Sequence, residues 1–272
     1  MRIGQRVVVA GLLVSWGCGS SSPGPSPLPQ TLAISPAVDL LRIKASETLS
    51  AALTASNGQQ TPATATWTSD APAVASVDAS GRITGQSSGS ATIAAQASGL
   101  RATVTLRVVP DYHGRWEGIT RVTGCADEGD FDTLCDEVVG GGMPLSTSIT
   151  QTRDAVTADV NFDDATGRIS TTIQSSGRLV TTGQLTLVIE GISFDVALSE
   201  WDTTSTDNQL MTGRYRLEVR HALLTGFWRL DGELVSIQKT SGTPGVASMT
   251  GISGRQSPSR VFSRLPRIAR RK

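Results

Sequence analysis

Two histidines, three cysteines and a scatter of carboxylates are the side chains of this 272-residue chain whose types could do chemistry. A histidine base needs a nucleophile within reach and an acid to orient it. His113 and His221 stand far apart, and no Gly-x-Ser-x-Gly elbow sits on a strand–helix turn. They are read as surface residues, one in a joint between domains and one in a turn. Paired carboxylates would serve glycoside hydrolysis. Glu117, Glu190, Asp195, Glu200 and Asp202 fall on or beside expected strands, where alternation turns many side chains outward, so they are read as solvated charge. The stretch "ADEGDFDTLCDE" packs six acids together, among them Asp127, Asp130 and Asp132. Hard oxygen ligands suit calcium, and these three are the calcium candidates. The residue order is not that of an EF-hand, so solvated charge is the expectation, and neither a metal nor a catalytic residue is assigned.

The amino terminus reads "MRIGQRVVVAGLLVSWGC". Arg2 and Arg6 precede an apolar run from Val7 to Val14, then small residues and Cys18, which is the pattern of a signal peptide over residues 1–17. The run is too short to cross a bilayer, which takes about 20 apolar residues. Export puts Cys125 and Cys135 in an oxidising compartment, where an even pair is expected as a disulfide. Such a bridge would close a short loop and contribute about 3 kcal/mol; a thiol–metal site would need further cysteines or a nearby histidine. Gly17-Cys18 resembles the lipobox of bacterial lipoproteins. That resemblance implies lipidation of Cys18, and Gly19 in place of Asp implies the outer membrane; the alternative is an ordinary signal peptide with a chance cysteine. Residues 18–30 are a Pro/Ser-rich linker with prolines at 23, 25, 27 and 29, able to extend about 35 Å.

Thr, Ser, Val, Ala and Gly are abundant and aromatics make up only 4%, which favours strands and turns over helices. Residues 31–110 contain seven or eight short alternating segments separated by turns, the pattern of an antiparallel sandwich. Trp67-x-Ser69, Val74-Ala75-x-Val77, Gly81-x-Ile83-Thr84-Gly85 and Gly89-x-Ala91-Thr92-Ile93 together resemble the group-2 bacterial Ig-like domain. The resemblance implies a domain of surface adhesins, used as a spacer. Trp67 is expected as a core anchor between two sheets of small side chains, and Gly81 and Gly85 as turn residues with positive φ. No polar constellation gathers here for a ligand, so a rigid stalk is favoured over adhesion or glycan binding.

Residues 111–242 carry eight to ten further strands joined by short turns. Such a meander closes into an up-and-down barrel to remove its edges, and the fold class is therefore all-β, an Ig-like sandwich followed by an antiparallel barrel. In "NFDDATG", Gly167 is expected at the positive-φ position of a turn. Gly114-x-Trp116 on the first strand resembles the calycin barrels, lipocalins among them. That implies Trp116 as a core anchor, Arg216 or Arg229 packed on it, and room for a small apolar ligand; the alternative is a barrel filled by its own side chains.

No acid follows Glu233, whereas Lys239, Arg255, Arg260, Arg264, Arg267, Arg270, Arg271 and Lys272 all do, so the formal net charge of zero is a cancellation. Residues 243–272 are read as a basic disordered tail, with contact to anionic lipid headgroups or cell-wall polymers as the sharper alternative. A nucleic-acid partner is excluded by the compartment and by the lack of a phosphate-cradling loop, since "VVGGGMP" has no following Lys-Ser/Thr. The expectation is an exported, lipid-anchored, non-enzymatic envelope protein without a cofactor. Its candidate partners are an envelope polymer, a surface glycan or a protein. The alternatives are a carrier of a small apolar ligand and an envelope glycan hydrolase.

Overall fold

The computed structural model describes residues 28–136 and 138–240. The signal segment, Cys18, most of the linker, Glu137 and the basic tail lie outside the described residues. Every regular element is a strand. Ten short ones build the first domain: β1 (Pro29–Ser35), β2 (Leu40–Arg42), β3 (Ser46–Thr48), β4 (Ser50–Ala55), β5 (Gln60–Ala63), β6 (Thr66–Ser69), β7 (Ala75–Val77), β8 (Arg82–Gly85), β9 (Gly89–Ala97) and β10 (Leu100–Val109). They pair as β1-β4-β5, β2-β10-β9-β6 and β3-β8-β7, with β2 parallel to β10. Leu41, Ile43, Leu49, Ile83, Ile93 and Leu106 form the core between them. Trp67 packs against this core from its rim and is half-buried. Its ring lies over Gly81, where a Cβ would meet the indole at 3.0 Å and φ is +83°. Gly85 does not have a positive φ; it is strand, and a Cβ there would sit 2.5 Å from the Arg42 carbonyl oxygen.

Eight longer strands form the second domain: β11 (Gly114–Gly129), β12 (Gly142–Thr152), β13 (Ala155–Phe162), β14 (Ala165–Thr172), β15 (Leu179–Ile189), β16 (Ile192–Ser205), β17 (Leu210–Arg220) and β18 (Gly226–Thr240). Each pairs antiparallel with the next, and β18 returns to β11 to close the barrel. Three connections are two-residue hairpins, Arg153-Asp154, Asp163-Asp164 and Glu190-Gly191. The first residue of each has φ between 50° and 57°, as the twist-matched hairpin turns require. The positive-φ residue of "NFDDATG" is thus Asp163. Gly167 lies inside β14, where a Cβ would run into β15 at 2.5 Å from the Gln184 carbonyl oxygen.

Alternation fills the barrel. Trp116, Trp201, Trp228, Phe162, Phe194 and Tyr215 all point inward and are essentially inaccessible. Phe162 meets Trp201 edge-on at 5.9 Å and Tyr215 at 4.8 Å, which ties β13 to β16 and β17 through the interior. Each of these three indole N–H groups has an acceptor: Tyr112 O at 2.7 Å for Trp116, Thr203 Oγ1 at 3.0 Å for Trp201, and Cys125 Sγ at 3.2 Å for Trp228. Tyr215 shares a 2.9 Å hydrogen bond with Thr120, whose hydroxyl also reaches the Met143 carbonyl. Gly232 stands opposite Tyr215 on β18, and a Cβ there would overlap the phenol ring.

The two domains are fastened by a polar joint around the connector 110–113. Gln151, 6% exposed, accepts the Tyr112 N–H at 2.7 Å and donates to the Pro110 carbonyl. Asn208 accepts the Asp111 N–H at 2.9 Å and donates to Ile43 O of the first domain at 2.9 Å. Its own φ is +62°, a conformation asparagine tolerates better than most residues. The Tyr112 hydroxyl donates to Gly177 O at 2.8 Å, and Val109 joins the barrel core. Ion pairs frame these contacts: Arg107–Asp154 at 3.1 Å, Arg42–Asp111 at 3.3 Å, Lys239–Asp111 at 3.2 Å, and Arg153–Asp39. From Lys44, beside the joint, β3 and β4 lead away to Ala55, and Pro29 pairs with Ala55. The chain therefore enters the first domain at the pole away from the barrel.

Two outcomes follow. The chain has two tyrosines, both buried. Burial pushes the Tyr215 phenol from 10.0 up to about 12, and raises Tyr112 as well. A raised phenol favours the protonated, folded state. That stability is fully present below pH 10 and is lost as pH rises through about 12. An alkaline titration followed by phenolate absorbance is expected to show no step near pH 10 and to rise only with unfolding; Gly232→Ala should bring that unfolding forward and lower stability by about 1–3 kcal/mol through overpacking against Tyr215. Asn208→Ala removes the bridge between connector and first domain. Hydrogen exchange of the Asp111 amide is expected to quicken at least tenfold, at about 1–3 kcal/mol for an unpartnered buried group, while exchange in the barrel core stays unchanged.

Candidate functional site

A barrel can act through its lumen, its ends or its outer wall. The lumen offers no cavity beside the described aromatic residues, because a water-sized contact reaches almost none of their surface. Its polar groups are Thr120, Thr147, Thr203 and Ser205. The cation over Trp116 is Lys239, 5.5 Å from the ring. Arg229 lies over Phe227 at 5.6 Å, and Arg216 pairs with Asp231 at 2.5 Å on the outer wall. Neither arginine expected on Trp116 is there.

The end opposite the joint carries the disulfide. Cys125 and Cys135 are bonded, with Cα atoms 5.5 Å apart. Cys125 and Asp127 belong to the last turn of pairing on β11, opposite Leu230 and Trp228 of β18, so the acidic segment begins within the strand and becomes loop after Gly129. Asp127 accepts the Cys135 N–H at 2.9 Å, and Asp130 accepts both the N–H and the hydroxyl of Thr225 at 2.8 and 2.9 Å. These two calcium candidates close loops by holding backbone donors, while Asp132 is exposed. Among the described residues no three His, Cys, Asp or Glu side chains converge as a metal site would require. His221 sits in the turn before β18 with its ring 5.0 Å from Phe194, and His113 is exposed beside the joint.

The outer wall has two halves of different chemistry. Across β15 to β18 it is an ion-pair lattice. A bulge between Leu198 and Glu200 shifts the alternation of β16, so that Trp201 and Thr203 face in and Glu200 and Asp202 face out. Asp202 is not solvated as expected; it is 9% exposed beneath Arg178, which grips it at 2.8 and 2.5 Å, with Arg214 at 3.6 Å. That pair holds the Arg178 guanidinium above its ordinary range. Glu200 pairs with Arg214 at 2.8 Å. Of the acids considered for hydrolysis, Glu117, Glu200 and Asp202 thus lie on the wall engaged by arginines, Asp195 is exposed on β16, and Glu190 stands in the hairpin before it.

Across β11 to β14 the wall is small and polar. Register places Arg115, Ser148, Asp159 and Arg168 in one cross-strand row, and Glu117, Ser146, Asn161 and Thr166 in the next. Residues of both rows line a shallow, open cleft of about 400 Å³. Arg168 binds Asp159 through two N–H donors at 2.7 and 3.1 Å, which lowers the Asp159 carboxyl from its usual value, and Arg115 bonds Glu117 along the strand. Sequence reasoning singled out only Glu117 of these eight. The joint residues Gln151 and Asn208 were not visible in it either, since neither belongs to a motif.

Residues 30–106 match the family described as Bacterial Ig-like domain (group 2). No curated protein matches the chain. Among solved structures the chain is similar to domains 4-9 of the surface layer protein SbsC, at 16% identity and a TM-score of 0.29, over 75% of this chain and 31% of that one. It is also similar to domains 5-6 of the S-layer protein SbsC, at 14% identity and a TM-score of 0.29, over 75% of this chain and 97% of that one. The chain thus spans about a third of the first of these structures, and at such TM-scores the likeness carries no argument. The family match covers the sandwich and stops within β10, before the barrel begins.

Proposed function

We propose that this chain is a non-enzymatic protein of the bacterial envelope in which the Ig-like domain is a spacer and the barrel is the presented module. The observation that carries this reading is the joint. Asn208, Gln151 and four ion pairs hold the barrel at the end of the sandwich opposite to the one where the chain enters. An entry at one pole and a fixed module at the other is the arrangement of an object held out from its attachment. The match of residues 30–106 to a bacterial Ig-like family supports the same reading, as does the signal pattern with Cys18, whose lipidation would supply the attachment. The filled lumen favours recognition by the barrel exterior over carriage of an apolar ligand.

The test is where the full chain resides and what its attachment needs. In a diderm bacterium the wild-type protein is expected in the outer-membrane fraction and Cys18→Ala in the soluble exported fraction. A Cys18→Ala protein that still fractionates with membranes would remove the lipid anchor. Native mass spectrometry of the full chain, purified without detergent, is expected to show the apo mass; a retained apolar mass would replace presentation with carriage.

A further inference from the structure

From the cleft on the outer wall we infer that β11 to β14 form a binding site for a neutral polysaccharide. The inference rests on the barrel being a presented module, and names its ligand class. Charge is the first constraint. Arg115 is balanced by Glu117 and Arg168 by Asp159, so the cleft is charged locally but neutral in sum, and neither a polyanion nor a polycation gains from it. Hydrogen-bonding capacity is the second. The cleft offers the hydroxyls of Ser146, Ser148 and Thr166, which both give and accept, beside the Asn161 amide and the flanking guanidinium and carboxylate groups. A ligand that answers such a mixture carries many groups that are donors and acceptors at once, which describes sugar hydroxyls.

Two further observations narrow the class. Asn161 is half-buried, and its Oδ1 atom is inaccessible and without a hydrogen-bond partner among the described residues; an unmet buried acceptor costs about 1–3 kcal/mol, which a ligand donor relieves once the side chain turns toward the cleft. The sheet around the cleft is closed, so a peptide cannot add to it as another strand through backbone pairing. Small side chains at 146 and 148 make the depression: Ser146 faces Glu117 and Asn161, Ser148 faces Arg115 and Asp159, and neither fills the space between the flanking ion pairs. No aromatic ring lines it. Binding without stacking is weak per site, with Kd on the order of millimolar, and gains strength where many copies face one polymer.

The experiment is a titration of the isotope-labelled full chain, followed by amide chemical shifts. The probes are neutral gluco-, manno-, galacto- and N-acetylglucosamine hexasaccharides, with dextran sulfate and an uncharged hexapeptide as controls. At least one hexasaccharide is expected to move the amides of Ser146, Ser148, Asn161 and Thr166. Ser148→Trp, which fills the cleft, and Asn161→Ala, which removes the unmet acceptor, should each weaken that binding at least tenfold while the remaining resonances stay in place. The inference is overturned if no hexasaccharide moves these amides, if the peptide or dextran sulfate moves them equally, or if both variants bind as the wild type does. Protease accessibility of the protein on intact cells separates the two readings. A chain that binds saccharide in the cleft but is shielded within the cell keeps the site and loses its presentation; a displayed chain that binds no saccharide does the reverse.

Discussion

The pairing of β18 with β11 is the constraint from which the rest of the barrel follows. It runs nearly the length of β11, from Arg115 against Thr240 to Gly129 against Gly226, with two register shifts that bend the strands around the axis. Closure leaves no free edge and fixes the size of the lumen. An eight-stranded lumen must then be filled or hold a ligand, and here three tryptophans, two phenylalanines and a tyrosine fill it. Space for Tyr215 exists only because residue 232 has no side chain. The same side chains thus supply the barrel's stability and leave no cavity beside the described aromatic rings.

The joint obeys a second logic. A connector of four residues between two domains would ordinarily hinge. Here its polar backbone is buried, and buried backbone groups must find partners. Gln151 supplies them from the end of β12 and Asn208 from the loop between β16 and β17, and Asn208 reaches across to the first domain as well. Removing the hinge costs the connector its freedom but leaves its N–H and carbonyl groups satisfied, and the exposed ion pairs around it add little by themselves. Orientation is set by uncharged amides and defended by charge.

Much of this architecture was legible in the sequence. The sandwich could be read from Trp67 and the glycine-punctuated strands, the barrel from an unbroken train of alternating segments, and the disulfide from two cysteines left over after the amino-terminal one. What was not legible depends on contacts across the fold. Gly167 looks like a turn residue by its neighbours, but the approach of β15 is what requires it. Asp202 looks exposed by composition, but a one-residue bulge at Ser199 and the reach of Arg178 from the connection before β15 bury it. The cleft is less visible still. Ser146, Asn161 and Thr166 are ordinary strand residues in sequence, and they become neighbours only through the register of three strands.

The strand that receives the chain from its linker also has a mechanical meaning. β1 runs antiparallel to β4 from Thr31 opposite Thr54 to Ser35 opposite Ser50. If the chain is tethered upstream of Pro29, drag on the barrel pulls along these strands, so the pairs between β1 and β4 are loaded together in shear and cannot be peeled apart singly. Beyond the joint, every barrel strand is paired on both sides. Rupture under load would then begin at the first strand of the Ig-like domain, and the barrel would stay folded until the tether itself gave way.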